Sequence, residues 1–316
     1  MAKLFPPSIH KVGIFPLSLG NQGDRFLQIA MNRLKAFGTD YIMPEPSAEF
    51  RYMAASDQER AGIFNALLDD PEVDALFALR GGVGAARALP YINWDKLFQR
   101  NIPVIGYSDM TAFLLAAYGK GYRNCISGAM AESTFGTPNL TDVELEQCRS
   151  ALYNCVDGVS VSIPYAYEPH TLKDGCVTAP VVPANLMLLV SLIGTPWLPD
   201  ISGKILLVEG IGTSAQLLDR QLTQLKQSGI LEKAAGLVFG TFNNSEDEHY
   251  HPEIFREFAE GVNGPSFYGL PFGHNTPSVA IRVGAEVTLS VENGVVSGDF
   301  ASPDGLSCDK MRVSLM

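Results

Sequence analysis

The apolar residues in the first half of the chain follow two alternating patterns. Short, nearly continuous apolar runs are typical of buried strands, whereas longer segments with apolar residues at helical spacing indicate helices. In chain order, these patterns occupy residues 10–15, 25–36, 41–43, 56–68, 75–79 and 103–118. Their alternation predicts parallel strands joined by crossover helices. The sequence from Ser56 to Glu59 matches a capping box, which marks the start of one of these helices.

The pattern weakens between residues 137 and 180, where a polar helix near 141–154 leads into a stretch that contains proline, glycine and aspartate. We predict a domain boundary there. The second half is predicted to contain helices near 183–193 and 214–228, strands at 204–208 and 236–239, and β-rich segments from 267 to the end. The expected fold is α/β, with an N-terminal parallel-sheet domain over 1–150, a linker over 151–178 and a smaller β-rich domain over 179–316.

Size and charge limit the classes of function. A chain of 316 residues is long enough for two domains, each with its own core. The net charge of −11, with no cluster of lysine or arginine, argues against nucleic acid as a partner. No segment approaches about 18 uninterrupted apolar residues, and the first seven residues lack the apolar core of a signal peptide. We therefore expect a cytoplasmic protein with no membrane partner. The five cysteines are odd in number and form no C-x-x-C pair, which suits reduced thiols.

Ser108 lies where a predicted buried strand passes directly into a helix. The apolar run at 103–105 predicts the strand, and residues 112–118 stay apolar beyond strand length, which predicts the helix. Free N–H groups and the positive dipole end at a helix N-terminus favour an alkoxide or an oxyanion. Ser108 is therefore a candidate nucleophile, with the N–H of Asp109 as an oxyanion donor. The alternative is a serine that only caps the helix. Position 110 is Met, so the second glycine of a G-x-S-x-G elbow is missing.

Two candidate partners for this serine lie in the second half of the chain. Glu209 comes directly after the predicted strand 204–208, and His274 lies in a glycine-containing loop. A serine hydroxyl needs a neighbouring base, for which imidazole has a suitable proton affinity, and a carboxylate can orient that imidazole. Taken alone, the default interpretation of each residue is a solvated loop position without a catalytic role.

A glycine-rich segment, Arg80-Gly81-Gly82-Val83-Gly84, follows the apolar run that ends at Leu79. Glycines let the backbone approach a reacting group closely and present N–H donors to it. A dinucleotide-binding loop is the alternative. That motif requires Gly or Ala where this chain has Arg87, and it belongs after the first strand, which is not the case here.

Taken together, these segments resemble the LD-carboxypeptidases, a family of serine peptidases that includes the muramoyltetrapeptide carboxypeptidases and the microcin C immunity peptidases. The matching segments follow the family's order over residues 80–274. They are Arg80-Gly81-Gly82-x-Gly84, Gly106-Tyr107-Ser108-Asp109-x-Thr111, Ala184-Asn185-Leu186, Gly194-Thr195-Pro196, Leu206-Leu207-Val208-Glu209, Leu218-Asp219-Arg220 and Gly269-Leu270-Pro271-x-Gly273-His274.

The resemblance implies Ser108 as nucleophile, His274 as general base and then acid, and Glu209 as the residue that orients His274. It also implies oxyanion donors from the backbone N–H of Asp109 and from one glycine of the Gly81-Gly82 pair, of which we favour Gly82. The fold of the family is an N-terminal parallel α/β domain joined to a smaller β-rich domain. The site lies in the cleft between them, usually in a homodimer.

From the matching segments we also predict substrate contacts by Arg80, Gly81 and Asn185, with no cofactor. The expected activity is hydrolysis of an L,D peptide bond in a small peptide. A murein tetrapeptide would lose its C-terminal D-alanine through an acyl-enzyme.

Three departures from the family's usual pattern concern the substrate rather than the reacting groups. Val83 stands where Tyr is common, Pro183-Ala184 precede Asn185 where two glycines are usual, and Gly210 replaces a frequent acidic residue. Two alternatives to this activity stay open. One is an immunity-type peptidase that cleaves the amide between an aminoacyl group and a nucleotide-like antibiotic. The other is a non-enzymatic two-domain protein that binds a ligand in its cleft.

An immunity-type peptidase would need an aromatic clamp for the base, for which Trp197, Phe242 and Tyr250 are candidates. The acidic run at 246–251 is the one segment that suggests a metal, since His249 and His251 would share one side of a strand. The run lacks the spacing typical of a zinc site or a calcium loop, so we expect no metal.

Overall fold

The computed structural model describes residues 2–301 of the chain. Its strands are β1 (Lys11–Phe15), β2 (Asp40–Ile42), β3 (Ala75–Ala78), β4 (Val104–Gly106), β5 (Cys125–Ser127), β6 (Val161–Ser162), β7 (His170–Lys173), β8 (Gly175–Asn185), β9 (Ile205–Ile211), β10 (Gly236–Asn243), β11 (Ser266–Tyr268), β12 (Ala280–Arg282), β13 (Glu286–Glu292) and β14 (Val295–Gly298). Cys308 and the last part of the predicted β-rich region lie outside the described residues.

The helices alternate with these strands through most of the chain. They are α1 (Asp24–Ala36), α2 (Asp57–Asp69), α3 (Ala85–Ala88), α4 (Trp94–Arg100), α5 (Thr111–Gly119), α6 (Ala131–Phe135), α7 (Asp142–Val156), α8 (Leu186–Ser191), α9 (Ala215–Gln227), α10 (Ile230–Lys233) and α11 (His251–Glu260). Short 3₁₀ turns cover Leu89–Tyr91, Ser108–Met110 and Glu248–Tyr250.

The first sheet has the strand order β2-β1-β3-β4-β5-β12-β6. Strands β1 to β5 are parallel, as the alternating pattern predicts. All residues of β3 and β4 are buried, because helices cover both faces of a parallel sheet. The short strand β12 comes from the second half of the chain and pairs antiparallel with both β5 and β6. The pattern predicted the parallel part of this sheet and not its completion by a distant strand.

The second sheet has the order β14-β13-β8-β9-β10-β11-β7. Strands β8 to β11 are parallel, whereas β7, β13 and β14 pair antiparallel with their neighbours. The two-domain α/β fold with a β-rich second domain is thus confirmed. The division at residues 150 and 179 stays a prediction.

Helix α5 joins the two halves. Its first eight residues are all buried, and Phe113 and Leu115 belong to the same apolar core as Val182 and Ala184 of β8. A helix that is apolar on all sides must be enclosed on all sides. The helix that follows Ser108 is therefore held between the two sheets, which fixes the position of its N-terminus.

Several local predictions need correction. Ser56 caps α2 by accepting the Glu59 N–H, but the Glu59 carboxylate accepts the N–H of Ser47 instead of completing a capping box. A complete box occurs at Thr141 and Glu144, at the start of α7. The run at 246–251 forms a 3₁₀ turn and the start of α11, so the predicted strand placement of His249 and His251 is wrong.

No helix within residues 2–301 combines the length and apolar character needed to cross a bilayer. The four described cysteines are free thiols: Cys125, Cys148 and Cys155 are buried, and Cys176 is exposed. Burial raises the pKa of the Cys148 and Cys155 thiols to about 12.

Candidate active site

Ser108 occupies a sharp turn between β4 and α5. Strand β4 ends at Gly106, and Ser108 opens the 3₁₀ turn in the left-handed region, with φ of 60°. This conformation is uncommon for a residue with a side chain and costs free energy, so surrounding contacts must hold it. A Cβ at Gly106 would lie 2.8 Å from Cγ of Met110, so the turn also requires a glycine there. The strand–turn–helix prediction at Ser108 is confirmed.

The Ser108 hydroxyl contacts a histidine rather than the helix backbone. No side-chain cap hydrogen bond closes the turn or α5. Instead, Oγ of Ser108 lies 2.9 Å from Nε2 of His274. Thus helix capping, the alternative explanation for this serine, does not describe its contacts.

His274 joins the serine to an acid. Its Nδ1 lies 2.7 Å from Oε2 of Glu209, and its side chain is 14% exposed. The Tyr107 ring packs against the imidazole in a T-shaped arrangement, with 5.2 Å between ring centroids. Gly273, with φ of 125°, makes the approach possible, because a Cβ there would lie 2.6 Å from Oε2 of Glu209. The three side chains predicted to act together therefore form one continuous hydrogen-bonded chain.

Glu209 lies inside β9, not after it. The strand extends to Ile211, two residues beyond Glu209, because β9 continues its pairing with β10 there. Glu209 is 1% exposed, in contrast to the solvated position that a strand end would give it. Its Oε1 accepts a 2.9 Å hydrogen bond from Nδ2 of Asn185, its register partner on β8. Both carboxylate oxygens are therefore hydrogen-bonded, as a buried carboxylate requires.

Asn185 is held by several contacts besides the one with Glu209. Its backbone N–H donates to Oγ1 of Thr111, and its Oδ1 accepts the N–H of Leu188 at the start of α8. Asn185 is buried and is not among the described residues that line the cleft next to Ser108. The family segments predicted that Asn185 contacts the substrate. In the structure its side chain contacts Glu209 instead.

The glycine-rich segment runs along the other side of Ser108. A Cβ at Gly81 would lie 2.9 Å from both Cβ and Oγ of Ser108. Gly82, with φ of 114°, packs on Leu19 so closely that a Cβ would lie 2.3 Å from its Cδ1. Asp109, at the start of the 3₁₀ turn, has a backbone N–H with no acceptor inside the turn. Both predicted oxyanion donors thus belong to segments that flank Ser108.

A cleft of about 560 Å³ opens next to Ser108 and His274. Its lining includes Arg80, the one lysine or arginine among the described residues around it. The Nε of Arg80 is buried with no partner, and Nη1 makes only a 3.5 Å contact with the Gly20 carbonyl. The Arg80 guanidinium therefore retains N–H groups for a ligand. The remaining lining residues are Gln22, Phe26, Gly81, Gly82, Tyr107, Met130, Glu132, Ser133, Thr137, Pro138 and Ile211.

Glu132 is a cleft residue that sequence reasoning missed. It lies in the five-residue helix α6, which has no strong sequence pattern. Its Oε1 accepts the Gln22 N–H at 2.8 Å, whereas its Oε2 is buried without a partner. Burial raises the pKa of this carboxyl, although the Gln22 hydrogen bond and Arg80 act in the opposite direction.

The proposed aromatic clamp is not found around this cleft. Trp197 packs against Trp94, and Phe242 lies in a buried cluster with Phe255. Tyr250 lines a separate groove between α9 and α11. The aromatic residues among the described cleft lining are Phe26 and Tyr107.

The acidic run at 246–251 serves the local structure. Asp247 accepts the Ala215 N–H at the start of α9 at 2.9 Å, and the Ser245 hydroxyl lowers the pKa of its carboxyl. Residues 2–301 contain no group of three or more His, Cys, Asp or Glu side chains arranged to hold a metal ion.

Known proteins with similar sequences belong to the family that the matching segments indicated. A family model for the LD-carboxypeptidase N-terminal domain matches residues 12–128, and one for the LD-carboxypeptidase C-terminal domain matches residues 178–289. The murein tetrapeptide carboxypeptidase of Pseudomonas aeruginosa is 28% identical over 271 residues, covering 83% of this chain and 88% of that protein.

Two solved structures extend the comparison. The muramoyltetrapeptide carboxypeptidase from Oxalobacter formigenes has a TM-score of 0.78 at 28% identity, covering 90% of this chain and 97% of that one. The structure of MccF in complex with glutamyl sulfamoyl guanosine has a TM-score of 0.84 at 18% identity, covering 94% and 98%. At that identity, the second likeness concerns the fold alone.

Proposed function

The chain belongs to the LD-carboxypeptidase family, and on this basis we propose that it is a serine hydrolase that removes the C-terminal D-amino acid from a small peptide across an L,D bond. The observation that carries the proposal is the chain of contacts from Ser108 through His274 to Glu209, at 2.9 and 2.7 Å. The proposed substrate is a murein tetrapeptide that loses its terminal D-alanine. The name of the relative in Pseudomonas aeruginosa supports this choice.

In the proposed reaction, Ser108 Oγ attacks the scissile carbonyl while His274 Nε2 accepts its proton. Glu209, buried and fixed by Asn185, holds Nδ1 as the protonated nitrogen and stabilises the imidazolium that forms. His274 then returns the proton to the leaving amine. Water hydrolyses the acyl-enzyme by the same route, with His274 again the base.

The backbone N–H groups of Gly82 and Asp109 are the proposed donors to the oxyanion. Donors fixed in advance around a developing charge stabilise the transition state more than the ground state. The close packing of Gly81 on Ser108 supports this role for the glycine-rich segment. Within it, Gly81 provides room for the nucleophile next to the bound peptide.

Arg80 is the proposed receptor for the terminal carboxylate of the peptide. A carboxypeptidase must distinguish a chain end from an internal peptide bond, and the feature that does so is a negative charge one residue beyond the scissile carbonyl. A guanidinium binds a carboxylate with paired hydrogen bonds. The free N–H groups of Arg80 and the scarcity of other cations in the described lining support this assignment.

The observations give less support to the two alternatives. An immunity-type peptidase would require an aromatic clamp, and Trp197, Phe242 and Tyr250 lie away from the cleft lining. A binding protein would have no use for a strained serine in contact with a histidine that a buried carboxylate orients. A cytoplasmic location and a homodimer complete the proposal, as the family resemblance and the free buried thiols suggest.

The test measures release of D-alanine from the murein tetrapeptide, together with labelling of Ser108 by a fluorophosphonate located by peptide mapping. We expect the tetrapeptide that ends in D-alanine to be cleaved and its L-alanine isomer to be spared. Ser108→Ala is expected to lose activity by several orders of magnitude, since the nucleophile and base act as a unit. Turnover by Ser108→Ala within about tenfold of wild type would overturn the assignment. Cleavage of an aminoacyl sulfamoyl nucleoside in preference to the tetrapeptide would favour the immunity-type activity.

A further inference from the structure

Two oppositely charged side chains are buried directly behind the proposed oxyanion site. Arg60 of α2 is 0% exposed and Asp109 is 2% exposed. Burial lowers the pKa of the Arg60 guanidinium and raises that of the Asp109 carboxyl, and the attraction between the two charges opposes both shifts. Arg60 also forms an ion pair with Asp57 at the start of α2. Burying a charge costs free energy unless hydrogen bonds compensate for it. The hydrogen bonds of these two side chains therefore identify the segments that they hold in place.

Asp109 connects three loops that follow adjacent strands of the first sheet. Its Oδ2 accepts the hydroxyl of Ser18, after β1, at 2.6 Å. The same oxygen accepts the backbone N–H of Ala85, which follows the glycine-rich segment after β3, at 2.8 Å. Asp109 itself follows β4 and is the next residue after Ser108. One carboxylate oxygen therefore fixes the nucleophile turn against both neighbouring loops.

Arg60 contacts two of these loops, those after β1 and β3, and also the segment just before α2. Its Nη1 donates to the Gly84 carbonyl at 3.0 Å and to the Leu17 carbonyl, and its Nε donates to the Ala55 carbonyl at 3.1 Å. Gly84, with φ of 130°, makes this possible, because a Cβ there would lie 2.8 Å from Nη1 of Arg60. The last glycine of the segment is thus required by its positive φ and by the buried guanidinium.

These contacts enclose the segment that bears Gly82. The segment is tied at Gly84 and Ala85, while Leu19 packs on Gly82 and donates its N–H to the Gly81 carbonyl at 3.5 Å. Gly81 also contacts Ser108. The distance between Ser108 Oγ and the Gly82 N–H can therefore vary little.

We infer that Arg60 and the Asp109 side chain are positioning residues that set the distance between Ser108 Oγ and the backbone donors of the oxyanion site. This inference rests on the proposed function for the identity of the nucleophile and the donors. Neither side chain touches the substrate. Their effect is to keep two loops in the arrangement that stabilises a tetrahedral oxyanion, where a displacement of about 1 Å costs about 100-fold in rate.

The experiment compares Asp109→Ala, Asp109→Asn and Arg60→Met with wild type in two assays, the rate of Ser108 labelling by a fluorophosphonate and the kinetics of D-alanine release. Asp109→Ala and Arg60→Met should lower the labelling rate and kcat about 100-fold, with KM changed less than about threefold. Asp109→Asn keeps a hydrogen-bond acceptor at Oδ and should recover about tenfold of that loss.

Arg100→Met is the matched control for lost stability. Arg100 also holds a loop through backbone carbonyls, those of Leu68 and Asp70 at 2.7 and 2.6 Å and that of Val73, but at the amino end of β3, opposite the site. Its substitution should lower Tm while the labelling rate stays within about threefold of wild type.

Each outcome decides a separate question. If Asp109→Ala and Arg60→Met label and turn over like wild type, or if Arg100→Met loses as much labelling as they do, the positioning role is wrong. Wild-type Ser108 that resists the probe also overturns it, because the arrangement would not prepare a nucleophile. If labelling is fast in wild type and slow in the variants, but no D-alanine is released, the positioning role stands and the proposed substrate is wrong.

Discussion

Asn185 Nδ2 donates a 2.9 Å hydrogen bond to Oε1 of Glu209, the carboxylate oxygen that His274 does not contact. Asn185→Ala would leave this buried oxygen without a donor, at a cost of about 1–3 kcal/mol. We expect kcat to fall about 10- to 100-fold with little change in KM, because the carboxylate would lose its fixed orientation toward Nδ1.

Asn185→Asp is the companion variant, since it keeps the shape and places a second carboxylate beside the first. Repulsion between the two should make it less active than Asn185→Ala. If kcat is unchanged in both variants while KM rises, Asn185 contacts the substrate, the role that the matching family segments predict. Steady-state kinetics of D-alanine release separates the two roles.

Glu209→Gln tests the orientation of His274. A glutamine amide can donate to Nδ1, which would leave Nε2 protonated and unable to accept the Ser108 proton. We expect kcat to fall about 10³- to 10⁴-fold with the fold retained. Steady-state kinetics and circular dichroism measure the two quantities. Activity within about tenfold of wild type would mean that the carboxylate is dispensable.

Gly81→Ala tests the contact between the glycine-rich segment and the nucleophile. The new Cβ would lie 2.9 Å from Cβ and Oγ of Ser108, so one of the two segments must shift. We expect kcat to fall about 100-fold, the loss that a displacement near 1 Å produces. Gly62→Ala in α2 is the control, because no atom lies within 4 Å of its Cβ. That variant should gain up to about 1 kcal/mol in stability and keep its activity. Equal kinetics for the two variants would contradict the proposed packing.

Arg80→Met tests recognition of the chain terminus. Loss of the guanidinium should raise KM for the peptide acid about 10- to 100-fold, the range expected for a charged hydrogen bond. The peptide amide has no terminal charge, so its already weak cleavage should change little. The measured quantity is the ratio of kcat/KM for acid over amide, which should approach one in the variant. Arg80→Lys should keep part of the preference, and an unchanged ratio in Arg80→Met would remove Arg80 from this role.

Glu132→Gln tests the pH dependence of stability. Burial raises the pKa of Glu132 in the folded state, so the folded protein binds this proton more tightly than the unfolded chain. The corresponding stability is present below the unfolded pKa and is lost as the pH rises through the folded pKa. The glutamine side chain of the variant does not titrate. The measurement is urea unfolding of both proteins between about pH 4 and 7. The free energy of unfolding of the variant minus that of wild type should increase with pH. A difference that stays flat or decreases would show that Glu132 titrates normally.

Sequence patterns were a good guide where structure follows from neighbouring residues. The apolar run at 103–105 and the helix after it predicted the turn at Ser108, because a short buried strand and a long apolar segment leave few other arrangements. The family segments likewise identified Ser108, Glu209 and His274, which the structure brings into contact. These features depend on short stretches of chain, and local patterns describe short stretches well.

Contacts between distant segments were decided only by the tertiary structure. The burial of Glu209 depends on the register between β8 and β9, and Glu132 meets Gln22 across 110 positions. Nothing in the helical pattern over 56–68 indicated that the Arg60 side chain would be buried against the carbonyls of Leu17, Ala55 and Gly84. No local pattern encodes such pairings, because a polar side chain looks the same in the sequence whether water or a buried partner satisfies it. The sequence by itself therefore determined which groups are proposed to react, and only folding decided which groups hold them in place.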